Sequence, residues 1–295
     1  MLSSLLGNGL VATAETSAQS TTQSTPAIVT NWFALFISVL IIICFVLLIV
    51  FTRRYRFEAK VIAEIGVACA LALVLGYLKI LQLPQGGTIS LAMVPVIIVA
   101  LRRGVVAGVV TGVISGMLMM LPDPFLVHPV QVILDYPLAW GALGFAGLIA
   151  EKKHRTKILL AVEGLFLALL VFFVLGLTTN ITQAWFGSGL ENATLGWDKY
   201  AFIAIVLAFV LPTYLVFRKG VVNKIGSIFI GAFGRFFFHF IAGVFFFWMF
   251  IEYWQGFSLF GYVSIYIAMH LIPETIISIL ASLPIIRMNI LEQNE

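Results

Sequence analysis

Nine apolar runs, at about 32–51, 61–83, 88–101, 105–121, 131–149, 158–177, 200–217, 226–250 and 262–286, leave this chain little choice of fold. A helix crosses the roughly 30 Å hydrocarbon layer with about 20 residues, and only helices or closed barrels satisfy their backbone there. The ten-residue alternation of a membrane barrel strand is missing. The sequence therefore predicts an all-α polytopic membrane bundle. Composition agrees, with 61% hydrophobic and 10% charged residues, against about 25% charged in soluble domains.

The basic residues orient the bundle. Arg53, Arg54, Arg56 and Lys60, then Arg102 and Arg103, then Lys152, Lys153, Arg155 and Lys157, then Arg218, Lys219 and Lys224, and finally Arg287 all fall on alternate connections. These 14 of the 17 Lys and Arg predict one cytoplasmic side, an outer N-terminus and an inner C-terminus. Basic residues placed this way explain the net charge of +4 without nucleic acid as a partner. Residues 1–30 hold no Lys or Arg and are rich in Ser, Thr, Ala and Gln, so they read as a disordered extracellular tail without the basic start of a signal peptide. Cys44 and Cys69 lie in apolar runs without CxxC spacing and read as packing residues.

The outer connections, 83–88, 121–130, 178–200 and 251–261, are rich in Gly, Pro and aromatics. Such loops suit a lid over an outward-opening site, while Trp185, Trp197 and Trp254 suit interfacial anchors. The N-x-[ST] matches at Asn180 and Asn192 are read as chance. Gly104, Gly108, Gly112 and Gly116 recur every fourth residue, a face on which helices approach closely.

Few polar residues stand at membrane depth: Glu64, Asp135, Glu163, Arg235, His239, His270 and Glu274. Charges placed there are costly and point to function. Gln131 precedes Asp135 by four residues and Tyr136 follows it; Arg235 and His239 share a face at i, i+4, as do Tyr262 and Tyr266. A carboxylate among aromatic rings suits a flat cationic or aromatic molecule. The competing reading is a structural Asp135–Arg235 ion pair. His270 and Glu274, near Pro273, read as satisfying a kink, Glu64 and Glu163 as snorkelling or capping, and most phenylalanines of 226–250 as lipid-facing. No HExxH, GxSxG or Walker pattern occurs, so the residues give no support for an enzyme, a cofactor or a metal.

In "LPQGGTISLAMVPVIIVALRRGVVAGVVTGV", "HPVQVILDYPLAWGALGFAG", "GRFFFHFIAG" and the helix from Tyr262 to Pro273, the chain resembles the thiamine-specific S components of energy-coupling factor (ECF) transporters. The resemblance implies a six-helix membrane subunit that binds thiamine near its outer face. Its implied partners are a transmembrane coupling subunit and two cytoplasmic ATPases, and its place is the bacterial plasma membrane. It divides the chain into the tail, an extra helix at 31–56, core helices 1–4 at 57–150, an inserted pair at 151–225 and core helices 5–6 at 226–295. It implies substrate contacts at Asp135, Tyr136, His239, Tyr262, Phe247 or Trp248, and Gln131, with Arg235 in support. Gly66 and Ala70 fall where the family's first helix meets the coupling subunit. Ile267 replaces an expected asparagine, the PQGG loop lacks a lid tryptophan seen in some members, and three helices are extra. The readings from other classes are a proton-coupled transporter of thiamine or a related pyrimidine without ATPases, an intramembrane enzyme using His239, Asp135 and His270, and a membrane scaffold.

Overall fold

The computed structural model describes residues 56–84, 86–122, 124–150, 164, 199–217, 221–246, 257 and 259–287. The expected span at 32–51, that at 158–177 apart from Gly164, and Cys44, Glu163, Phe247, Trp248 and the three anchor tryptophans lie outside the described residues. Helix α1 is Ala59–Tyr77. A two-strand hairpin follows, β1 (Leu81–Gln82) against β2 (Thr88–Ile89), paired antiparallel. Then come α2 (Met93–Arg103), α3 (Val105–Met119) and α4 (Pro129–Ile149). Helix α5 (Lys199–Val210) tightens into a 3₁₀ end over Leu211–Phe217, and α6 (Val221–Phe246) and α7 (Leu259–Arg287) complete the described bundle. Among the described residues, α1, α4, most of α6 and most of α7 are long and apolar enough to cross a membrane, and α3 and α5 are shorter apolar helices.

The expected span at 88–101 is different in detail. Its α-helix has 11 residues, about 16 Å at the usual rise, and the chain before it folds into the hairpin. Irregular backbone at membrane depth is tolerated where it lines a cavity, and here Gly87, Thr88 and Ser90 do. Helix α2 ends at Arg102 and Arg103, cations that complement its C-terminal dipole. Gly104, at φ 85°, then turns the chain into α3 within one residue, a backbone state open essentially to glycine.

The glycine stripe packs inside the bundle. A Cβ on Gly112 would lie 2.2 Å from the Trp140 carbonyl oxygen, and one on Gly116 would lie 2.2 Å from that of Tyr136. Gly108 meets Ala100 of α2 and Gly144 of α4. Backbone thus rests on backbone between α3 and α4, and the Tyr136 and Trp140 side chains project into the cavity described below.

The phenylalanines of α6 correct an expectation. Phe233, Phe236, Phe237, Phe240 and Phe245 are buried. Helix α5 covers two of them: Phe209 and Phe236 lie 5.2 Å apart by ring centroid, and Phe202 and Phe240 5.3 Å apart. Helix α5 therefore helps to enclose this aromatic face within the protein core.

Candidate functional site

Helix α4 is not regular. Between α-helical turns at Pro129–Ile133 and Ala139–Ala142 lies a π-helical segment, Leu134–Leu138, containing Pro137. Proline has no amide hydrogen and clashes with the carbonyl four residues back; the wider π turn relieves both, and the Ala139 amide reaches Leu134 O instead. Such insertions shift side-chain register and recur at functional sites. Here the segment carries Asp135 and Tyr136.

Asp135 is buried, with 8% relative exposure. Its Oδ2 accepts from Gln131 Nε2 at 2.5 Å, and its Oδ1 lies 2.8 Å from His239 Nδ1. On the far side of that ring, Arg235 Nε donates to His239 Nε2 at 3.2 Å. A guanidinium can only donate, so Nε2 is the acceptor and the ring proton sits on Nδ1, facing Asp135. His239 is held neutral. Asp135 is thus satisfied by two neutral donors, and nothing in that pairing cancels its charge.

The alternative Asp135–Arg235 ion pair is not formed. Arg235 Nη1 lies 3.0 Å from Glu274 Oε2, an ion pair by distance whose angle is not that of a hydrogen bond. Ser90 Oγ donates to the other Glu274 oxygen at 3.2 Å. The Arg235 guanidinium also lies 4.4 Å above the Trp140 ring, a favourable cation–π placement. Glu274 is 1% exposed; it is an ion-pair partner in the core rather than a helix-kink accessory.

The surrounding cavity measures about 100 Å³ and is lined by Gln131, Asp135, Tyr136, Arg235, His239 and Tyr262 among others. These are six of the expected site residues. Trp140, Tyr266, Ile267 and His270 complete much of the wall. Two irregular segments close it. The Gly87 amide donates to Tyr266 Oη at 2.8 Å, and the Phe125 amide donates to Tyr136 Oη at 2.8 Å. Gln131 anchors the second segment at both ends of its amide, donating to Phe125 O and accepting from the Val127 amide. Gly86, at φ 87°, lies against the Phe125 ring and joins the two.

The substrate contacts expected from the sequence left out Trp140, Tyr266, His270, Glu274 and Ser90, although Tyr266 was noted as sharing a face with Tyr262 and His270 stood in the enzyme alternative. A signal for the α7 residues was present: Tyr262, Tyr266, His270 and Glu274 repeat every four residues, one polar stripe on one helix face. Elsewhere, Glu64 accepts from Arg103 Nε at 2.6 Å and Nη2 at 2.5 Å, with Arg102 3.7 Å away. Gly66 and Ala70 are exposed on α1, and a Cβ on Gly66 would meet nothing within 4 Å.

A family model described as thiamine transporter protein (Thia_YuaJ) matches residues 62–292. The thiamine transporter ThiT of Bacillus subtilis (strain 168) is 28% identical over 171 residues, covering 51% of this chain and 89% of that protein. A solved structure of ThiT from Listeria monocytogenes is similar at a TM-score of 0.42 and 20% identity, covering 80% of this chain and 94% of that one.

Proposed function

The chain belongs to the thiamine transporter protein family, and from that premise we propose that it is the S component of an ECF importer, capturing thiamine in the cavity between α4, α6 and α7. It is a multi-pass protein of the bacterial plasma membrane that serves thiamine uptake, and its family is one of transporters, not enzymes. One observation carries the reading of the site: a buried carboxylate, Asp135, whose partners among the described residues are two neutral donors, set among aromatic rings. Thiamine brings a permanently cationic thiazolium and a neutral aminopyrimidine. In this reading Asp135 meets the thiazolium, His239 lies on the pyrimidine side, and Tyr136, Tyr262 and Gln131 complete the contacts, with Arg235 in support. Phe247 or Trp248 supplies a stacking ring.

The cavity is smaller than the 300–1,000 Å³ of ordinary ligand sites. A molecule of thiamine's size enters only if the segments around Gly86 and Phe125 move aside. The two amide-to-tyrosine hydrogen bonds and the two Gln131 bonds that hold them are each worth about 1 kcal/mol, so such movement costs a few kcal/mol.

For coupling, the exposed Gly66 and Ala70 leave a shallow strip on α1 where another helix can approach closely. In the proposal this strip meets the transmembrane coupling subunit, and two cytoplasmic ATPases supply the energy. Titrating the purified full chain with thiamine, its phosphates and its pyrimidine half, read by tryptophan fluorescence, tests the site; quenching by none of them removes the reading. Uptake that survives in cells lacking the coupling subunit removes the ATPase-driven part of it.

A further inference from the structure

We infer that Glu274 is a positioning residue for charge selectivity: by neutralising Arg235 beneath the cavity, it keeps the site's sum at one negative charge and so selects a monocation over a neutral molecule of the same shape. The inference rests on the proposed thiamine site and extends it to a residue that does not line the cavity.

Among the described residues, the charged and titratable groups that face one another there come from three helices. Helix α4 contributes Asp135. Helix α6 contributes Arg235 and His239. Tyr136 of α4 adds a phenol, helix α7 contributes Glu274, His270, Tyr262 and Tyr266, and on the hairpin side the described residues contribute the neutral Ser90. His239 is neutral by the donor logic of Arg235 Nε. His270 directs Nδ1 at the Tyr266 carbonyl oxygen 3.1 Å away, the bond a neutral ring makes with its single proton. The tyrosines are neutral phenols. Arg235 and Glu274 cancel at 3.0 Å, and Asp135 remains.

Arg235 borders both the cavity and His239. Its positive charge, left without Glu274, would face a bound cation at short range. At an effective dielectric of about 20, a unit charge roughly 7 Å away changes cation affinity by roughly 10- to 100-fold. A neutral ligand would feel little of this. Glu274 is a costly residue to bury, and Ser90 reaches from the hairpin to hold its second oxygen. The pair therefore also ties α7 to α6 and to the hairpin side, which is why a selectivity readout, rather than affinity alone, is needed to separate charge from packing.

The test compares dissociation constants for thiamine and for a neutral isostere in which carbon replaces the charged ring nitrogen, at pH 8, using purified full-length protein. Wild type prefers thiamine. Glu274→Gln loses roughly 10- to 100-fold of that preference, with isostere affinity changed much less. The double variant Arg235→Gln/Glu274→Gln returns the sum to one negative charge: losing the Arg235 contacts to His239 and Trp140 weakens both ligands, while the ratio of their affinities returns to within about threefold of wild type. A preference unchanged in Glu274→Gln, or equal losses for both ligands, overturns the inference while leaving thiamine binding itself intact. Where Glu274→Gln does not fold, the double variant carries the test: thiamine bound without preference over the isostere overturns the inference. Wild type that binds neither ligand overturns the proposed function instead.

Discussion

Glu64 and Asp135 are both carboxylates inside helices apolar enough to cross a membrane, yet their partners differ in kind. Glu64, on α1, is gripped by the Arg103 fork through two hydrogen bonds, with Arg102 close by, and its side chain is 23% exposed. Asp135, on α4, is held by a glutamine amide and a neutral imidazole. The first charge is cancelled in place at the basic end of the bundle. The second is kept. A charge at membrane depth is therefore not informative by itself; the chemistry of its partners says whether it is finished or waiting.

The largest effect that breaks or keeps this contrast is expected at Asp135. Asp135→Asn keeps the shape but removes the charge a thiazolium would meet, and its amide nitrogen can accept from neither Gln131 nor His239, so one of the two hydrogen bonds is lost as well. Losing one side of a buried charge contact costs about 2–5 kcal/mol, so thiamine affinity is expected to fall by roughly 30-fold to several thousandfold. Calorimetric or fluorescence titration measures it. A change below about threefold would place the cation elsewhere.

His239→Ala comes next, at roughly 10- to 100-fold weaker binding, because it removes one of the two neutral donors to Asp135 and part of the cavity wall. Its sharper consequence is structural: Arg235 loses the ring that separates it from Asp135. Should the two then pair, the protein would adopt the neutralised arrangement that the sequence left open as an alternative. A crystal or cryo-EM structure of the variant shows which partner Asp135 takes.

How much of this was legible in the sequence follows from which forces act at which range. Hydropathy marked α1, α3, α4, α6 and α7, because lipid demands apolar length along one segment. The i, i+4 spacings of Gln131 with Asp135 and of Arg235 with His239 also appear as hydrogen bonds, since helix geometry alone brings them together. Long-range pairing was not legible. Arg235 chose Glu274 over Asp135, and α5 covered two of the phenylalanines of α6; both depend on which helices become neighbours. The π turn at Leu134–Leu138 was hinted at by Pro137, but a proline within an apolar run equally fits a kink. The hairpin at 81–89 was read partly as helix and partly as loop, for its two-residue strands are too short to show a period of two.

The glycines give a second comparison, of stability rather than binding. Gly112→Ala forces a methyl against the Trp140 carbonyl, and overpacking of this kind costs about 1–3 kcal/mol, visible as a lower thermal midpoint in detergent. Gly66→Ala meets nothing and gains up to about 1 kcal/mol of helix propensity. Equal midpoints for the two variants would mean that α3 and α4 do not touch backbone to backbone.

The smallest expected effect sharpens the opening contrast most. Glu64→Gln removes a partly exposed ion pair, and such pairs contribute about 0–1 kcal/mol. Its carboxylate belongs with Arg102 and Arg103, and it lines a groove between α1 and α2 with no residue in common with the Asp135 cavity. Thiamine affinity in Glu64→Gln is therefore expected to stay within about threefold of wild type, with a small loss of thermal stability that shrinks as salt is raised. The comparison with Asp135→Asn controls for everything the two substitutions share: each removes one negative charge from an apolar helix, and each replaces acid by amide. If both weakened thiamine equally, overall charge rather than the local partner set would govern binding, and the distinction between a finished charge and a waiting one would fail at its simplest test.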